Sequence, residues 1–242
     1  GSLWWAFGWS SPGDDPTGGP TATTAPPSDG PTVTADVAVG TSVSGEVPEA
    51  GLWVGTVSVA ADSTLLLDAR AAGSDGDLRL QVREAGSTDT LSENDDRGSF
   101  LQGVGGTSLD PLTSPTLTAG SYEIVVDDRR GEETGFDLAV TAVEEELTLE
   151  TPTTTSLAAD AVWLGTVAIA DDGDYVVDVL GDGADPVLVM IGPDGRQLVS
   201  DDRDQDSPDP LIAERLGAGT WTVVITEYFG DATELTITAG AA

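Results

Sequence analysis

An internal duplication constrains this chain more than any other feature of its sequence. Leu52-Trp53-Val54-Gly55-Thr56-Val57 matches Val162-Trp163-Leu164-Gly165-Thr166-Val167. Leu65-Leu66-Leu67-Asp68-Ala69 matches Tyr175-Val176-Val177-Asp178-Val179 in the same register. Asp77 through Val82 corresponds to Asp185 through Met190, and Asp95-Asp96-Arg97 to Asp201-Asp202-Arg203. Leu117-Thr118-Ala119-Gly120-Ser121-Tyr122, running on to Val126, answers Leu216-Gly217-Ala218-Gly219-Thr220-Trp221, running on to Ile225. Blocks in one order, interrupted only at turns, mean that one structural unit is used twice.

Each block reads as a strand. Tyr122, Ile124 and Val126 alternate with Ser121, Glu123 and Val125, and Trp221, Val223 and Ile225 with Thr222 and Val224. A period of two with β-branched residues puts one face of a strand against a core. Leu78, Leu80 and Val82 alternate with Arg79, Gln81 and Arg83, so this strand has one wet face. Trp53 and Trp163 are equivalent, as are Tyr122 and Trp221, which assigns all four to core packing. Pro193-Asp194-Gly195 is a turn signal, and Ala119-Gly120 and Ala218-Gly219 mark turns entering the next-to-last strand of each repeat. About seven or eight short strands per repeat imply a sandwich. The expected fold is all-β: two tandem antiparallel β-sandwich domains, jelly-roll-like, over residues 32–143 and 144–242. Residues 1–31 precede them as an aromatic leader and an extended segment rich in Pro, Thr and Gly. The connection from Glu144-Glu145-Glu146 to Thr155 is short and partly strand-like, which favours a fixed arrangement of the two units.

Composition removes whole classes of chemistry. The chain has no cysteine and no histidine, which excludes disulfides, the usual zinc sites, thiol nucleophiles and histidine-based triads. Acids are plentiful, but no carboxylate pair is set apart by an apolar or aromatic surround. No glycine-rich phosphate loop or nucleophile elbow is present either, so a non-enzymatic chain is expected. The formal charge of −34 comes from 43 acids against 9 bases, every one an arginine. Such a field repels nucleic acid and anionic membranes, favours solubility and attracts cations. An extracellular or cell-surface setting suits it. No apolar run approaches the roughly 20 residues that span a bilayer, so membrane attachment needs an anchor outside this chain.

The leader Leu3, Trp4, Trp5, Phe7 and Trp9 has no counterpart in the repeats. Three readings of it stay open, one of them a floppy tail. It is the membrane-proximal end of an anchor, because Trp favours the bilayer interface. Or it is an assembly segment that enters a groove or sheet edge of a neighbouring copy, which would make the chain a filament subunit that self-associates.

The ordered motifs resemble a known family. Trp53-Val54-Gly55-Thr56-Val57, the strand Asp77-Leu78-Arg79-Leu80, the Asp95-Asp96 turn and the Leu117-to-Val126 block, with their counterparts in the second repeat, are similar to the bacterial pre-peptidase C-terminal domain. That family is related to the collagen-binding domains of clostridial collagenases. The resemblance implies a β-sandwich attached to secreted proteins, often binding calcium and sometimes polymeric substrates.

Calcium takes several oxygen ligands, which aspartates clustered on turns supply. The candidates are Asp75, Asp77, Asp95 and Asp96 in the first repeat, and Asp185, Asp201, Asp202, Asp204 and Asp206 in the second. The run from Asp202 to Asp206 has the alternate-acid spacing that opens an EF-hand. Ser207 and Ala213 stand where that loop needs glycine and glutamate, so an EF-hand is rejected. Tyr228 and Phe229 fall on a loop where the first repeat has Arg129 and Arg130, placed either to stack on a ligand or to cap the sandwich end. The expectation is a calcium-stabilised stalk or adhesive module for a polymer or cell-surface ligand, with the filament subunit as the alternative.

Overall fold

The computed structural model describes residues 30–97, 105–204 and 207–242, and among these the chain forms strands and no helix. The leader residues lie outside the described residues, as does Asp206. The first unit begins with β1 (Thr32–Val37), β2 (Thr41–Val47), β3 (Leu52–Val59), β4 (Ser63–Ala71) and β5 (Leu78–Glu84). It continues through β6 (Thr90–Asn94), β7 (Leu112–Thr113), β8 (Thr116–Leu117), β9 (Gly120–Asp128) and β10 (Thr134–Val143). The second begins with β11 (Glu145–Leu147), β12 (Thr153–Leu157), β13 (Trp163–Ile169), β14 (Gly173–Gly181) and β15 (Pro186–Ile191). It ends with β16 (Gln197–Ser200), β17 (Leu211–Leu216), β18 (Gly219–Glu227) and β19 (Thr233–Ala241).

The fold is all-β, two β-sandwiches of the same topology. In the first, the sheet β1-β3-β9-β5-β6 faces the sheet β2-β10-β4-β7, with β8 also on β4. In the second, β11-β13-β18-β15-β16 faces β12-β19-β14-β17. The register repeats as well: Trp53 pairs with Val126 and Trp163 with Ile225. Pairing is antiparallel except that β1 runs parallel to β3, and β11 to β13. The intervening strand, β2 or β12, crosses to the opposite sheet, so the chain returns beside its starting strand in the same direction. Strands outnumber the seven or eight expected. The threonine-rich connection itself supplies β11 and β12, and Pro115, which cannot donate to a ladder, separates β7 from β8.

Each sandwich has its own core. Trp53, Tyr122, Ile124, Phe136 and Leu138 anchor the first; Trp163, Trp221, Val223 and Ile237 anchor the second. The two fill the same space differently. Phe136 meets Trp53 edge-to-face, with ring centroids 5.2 Å apart. Room for that ring comes from Gly45, where a Cβ would stand 2.6 Å from Phe136 Cζ. The register puts Leu235 and Thr155 at the corresponding places in the second repeat, a smaller residue facing a larger one.

A third cluster joins the sandwiches. Leu66, Leu112 and Val143 are buried together with Val189, Ile191 and Val224. The outer face of the β4 sheet therefore packs on the outer face of the β15 sheet. Ser114 Oγ and Thr222 Oγ1 share a buried hydrogen bond of 2.6 Å across this seam, and Gln197 Nε2 donates to the Leu112 carbonyl at 3.2 Å. Covering both faces changes the strands involved. β4 and β15 are buried almost continuously, whereas their counterparts β14 and β5 alternate between buried and more exposed positions. The result is four stacked sheets with three apolar layers between them.

Candidate functional site

The duplicated Asp-Asp-Arg turns use their arginine first as a structural group. Arg97, 2% exposed, donates to Asp68 Oδ1 and to the carbonyls of Ala69, Gly105, Asp110 and Pro111. Arg203 donates likewise to Asp178 Oδ1 and to the Asp209 carbonyl. A second acid closes each turn: Asp110 Oδ1 accepts from Ala71 N at 2.8 Å, and Asp209 Oδ1 from Gly181 N at 2.7 Å. A buried guanidinium is stable only when its donors are filled, and in Arg97 all three nitrogens have an acceptor. The aspartates of this motif were the residues expected as ligands, not its arginine. The Asp-Pro pairs at 110–111 and 209–210, present in both repeats, were the unused signal.

These turns hold the remaining acids near the loop after β9 and its counterpart after β18. Asp128 accepts hydrogen bonds from the backbone N–H of Arg130 (2.8 Å), Glu132 (3.3 Å) and Asp77 (3.3 Å) and from Thr134 Oγ1 (2.7 Å). Burial pushes the Asp128 carboxyl up, but these four donors outweigh it and hold the group below its ordinary value. Glu227 does the same work in the second repeat, accepting from Asp185 N (3.2 Å), Phe229 N (2.8 Å) and Asp231 N (2.8 Å). Arg129 N donates to the Asp77 carbonyl and Tyr228 N to that of Asp185, at 2.7 and 2.8 Å. Both turns close on a left-handed glycine, Gly131 (φ 71°) or Gly230 (φ 77°). The equivalences are therefore residue by residue: Arg129 with Tyr228, Arg130 with Phe229, Asp77 with Asp185 and Asp95 with Asp201.

The two loops differ in what the equivalent side chains do. In the first repeat Arg129 Nη1 donates to Asp95 Oδ2 at 2.8 Å, and Arg130 Nε faces Asp77 Oδ2 at 3.4 Å. Arg130 Nη1 also donates to the Asp75 carbonyl at 2.7 Å. Asp96 beside them is exposed as a residue, and its carboxyl is pushed up by the partial burial it has and then by Asp95 and Asp77, with Arg129 opposing. In the second repeat no arginine is present at these positions. Asp185 Oδ1 and Asp201 Oδ1 are buried without a hydrogen-bond partner. Burial raises both carboxyls, joined by Asp201, Asp202 and Glu227 at Asp185 and by Asp202 at Asp201. Tyr228 and Phe229 instead project outward, 61% and 72% exposed, in an edge-to-face pair with centroids 5.1 Å apart.

The structure thus brings Asp77, Asp95 and Asp96 together in one repeat and Asp185, Asp201 and Asp202 in the other. Asp75, Asp96, Asp202 and Asp204 are exposed. Among the described residues no three histidine, cysteine or acidic side chains converge as a metal-binding group. Calcium takes six to eight oxygens. In the first repeat two of the candidate carboxylates already hold guanidinium groups, and in the second Asp185 and Asp201 each keep one buried oxygen without a partner. A cavity of about 330 Å³ lies against the first repeat's loop, lined by Pro48, Ala50, Arg79, Asp127, Arg129 and Arg130 among others. Its arginines are paired, Arg79 Nε with Asp127 Oδ1 at 2.9 Å. No described helix is long and apolar enough to cross a membrane.

No family model matches this chain, and no curated protein does. Solved structures do show similarity. The pre-peptidase C-terminal domain of a collagenase from Bacillus anthracis aligns over 98% of its length with 46% of this chain, at 12% identity and a TM-score of 0.37. The CUB1-EGF-CUB2 domains of rat MASP-1 align over 99% of their length with 85% of this chain, at 8% identity and a TM-score of 0.27. The PBSX exported protein XepA covers 83% of this chain with 86% of its own, at 11% identity and a TM-score of 0.30. None of the three passes 12% identity or a TM-score of 0.37, and the chain is assigned to no family on them.

Proposed function

We propose that this chain is a non-catalytic extracellular or cell-surface module whose second sandwich engages a polymer or cell-surface ligand through the loop after β18. The observation that carries this reading is the Tyr228–Phe229 pair. Two large aromatic side chains stand mostly in solvent at the tip of a loop that Glu227 holds in shape by two hydrogen bonds, with a third from Asp185 N. Exposed aromatic groups on a rigid support are a recurrent means of stacking on sugars and packing on partners. The four-sheet stack supports the same reading, because it presents the loop on a firm body. The acid-rich surface and the absence of histidine and cysteine favour binding over catalysis. Calcium is not built into this reading, since among the described residues no three acidic side chains converge as a metal-binding group.

The test is a pull-down with insoluble chitin, cellulose, collagen and peptidoglycan. The protein is expected to co-sediment with one of them, and Tyr228→Ala/Phe229→Ala to abolish that binding. Equal retention of the wild type and the double variant would remove the loop from the function.

A further inference from the structure

We infer that the loop end of the second sandwich receives an arginine side chain presented by a partner polypeptide. This rests on the reading that the Tyr228–Phe229 end is a binding end, and it names the partner chemistry. The first repeat supplies the argument. There a guanidinium lies on each of two carboxylates, Arg129 on Asp95 and Arg130 on Asp77. Duplication carries those carboxylates over as Asp201 and Asp185, which are the two that keep a buried oxygen without a partner. The arginines are not carried over. The first repeat fills the place in cis, and the second leaves the same acids uncompensated.

What replaces the arginines fits a guanidinium arriving from outside. Tyr228 and Phe229 stand at the positions from which Arg129 and Arg130 reach inward, and both rings are open to solvent. A planar guanidinium stacks on an aromatic face while its edge donates to a carboxylate, a combination an ammonium reproduces poorly. Oδ1 is buried in both Asp185 and Asp201, while each residue as a whole is only partly covered. Glu227 stays committed to the loop backbone. The long-range field agrees in sign, because a chain of formal charge −34 draws cationic partners toward it.

The probe is a short capped peptide with two adjacent arginines, compared with its lysine counterpart in 0.15 M salt and followed by backbone amide shifts of the full chain. The arginine peptide is expected to shift the amides of Asp185, Asp201 and Glu227–Asp231, at least threefold more tightly than the lysine peptide. Tyr228→Ala/Phe229→Ala keeps every charge and is expected to weaken binding at least tenfold. Tyr228→Arg/Phe229→Arg rebuilds the first repeat's pairing and is expected to abolish binding while raising Tm. Shifts spread over the acidic surface, equal affinity for both peptides, or an unchanged alanine variant would each overturn the inference. So would calcium chloride producing the same local shifts and blocking the peptide, which would give the place to a metal. If a polymer still binds through Tyr228 and Phe229 while the peptide does not, the binding-module reading stands and the arginine inference alone fails.

Discussion

The two sandwiches share a topology, a register and a set of structural hydrogen bonds, yet at matching loops they treat charge in opposite ways. The first repeat covers its carboxylates with Arg129 and Arg130 and buries Arg97 almost completely. The second leaves Asp185 and Asp201 without cations, leaves Arg203 partly exposed and turns two aromatic rings outward. A framework duplicated so closely shows which residues the fold requires. Where the copies disagree, the fold does not dictate the residue, and function has room to act.

Removing the buried arginine is the hardest way to break the comparison. Arg97→Met would leave the Asp68 carboxylate and several carbonyls short of donors in a dry site. Breaking a buried pair in this way costs about 3–5 kcal/mol. The equivalent Arg203, with 27% of its side chain exposed against 1% for Arg97, lets water take over its partners. Arg203→Met is therefore expected to cost about half as much or less. Urea denaturation of both variants measures the difference. Equal losses would mean that the turns depend on the pairing and not on its burial.

A smaller effect tests the exchange of volume between the cores. Gly45→Thr places the second repeat's residue in the first, into the Phe136 and Trp53 rings. Overpacking of this kind costs about 1–3 kcal/mol. Adding Phe136→Leu recreates the pairing of Thr155 with Leu235, and it should recover part of the loss in the same denaturation experiment. A double variant no more stable than Gly45→Thr alone would show that the two positions do not trade volume.

Much of the fold was legible because strands write their burial into alternate residues. The Trp53 and Trp163 blocks matched the two repeats strand for strand, and Leu78-Arg79-Leu80-Gln81-Val82 announced a face in contact with water. The seam between the sandwiches was written too, as the continuous runs Leu65-Leu66-Leu67 and Val187 to Ile191, which have no polar alternation to lose. A run of that kind says that both faces are covered without saying by what. The candidate site was legible only as a difference between repeats. Tyr228 and Phe229 opposite Arg129 and Arg130 could be read from the alignment. That the arginines lie on the acids equivalent to the orphaned pair depends on side-chain direction, which spacing does not encode. The acid-rich composition hid the rest: with 43 carboxylates in the chain, an aspartate on a turn distinguishes nothing until its partner is known.

The mildest perturbation sharpens the charge contrast through pH. Asp201 has its carboxyl raised in the fold by burial and by Asp202, so the folded state binds a proton more readily than the unfolded one. Its ionised form opposes folding at neutral pH. Stability from this group therefore rises as pH falls from neutral toward the ordinary carboxylate range, and it is lost as pH rises through the elevated value. Asp128 in the first repeat has the opposite sign. Its depressed carboxyl contributes above the ordinary carboxylate value and loses that contribution only in stronger acid. Asp201→Asn removes a repulsive charge beside Asp185 and offers it a donor. The variant is expected to gain about 0.5 kcal/mol or less at pH 7, because solvent screens a partly exposed group, and to lack Asp201's share of the stabilisation in mild acid. Thermal melts of wild type and variant at pH 7 and pH 5 check this, since the charges they share cancel in the difference. A gap between the two proteins that does not narrow at pH 5 would show that Asp201 already has a counter-charge, and the contrast between the loops would fall with it.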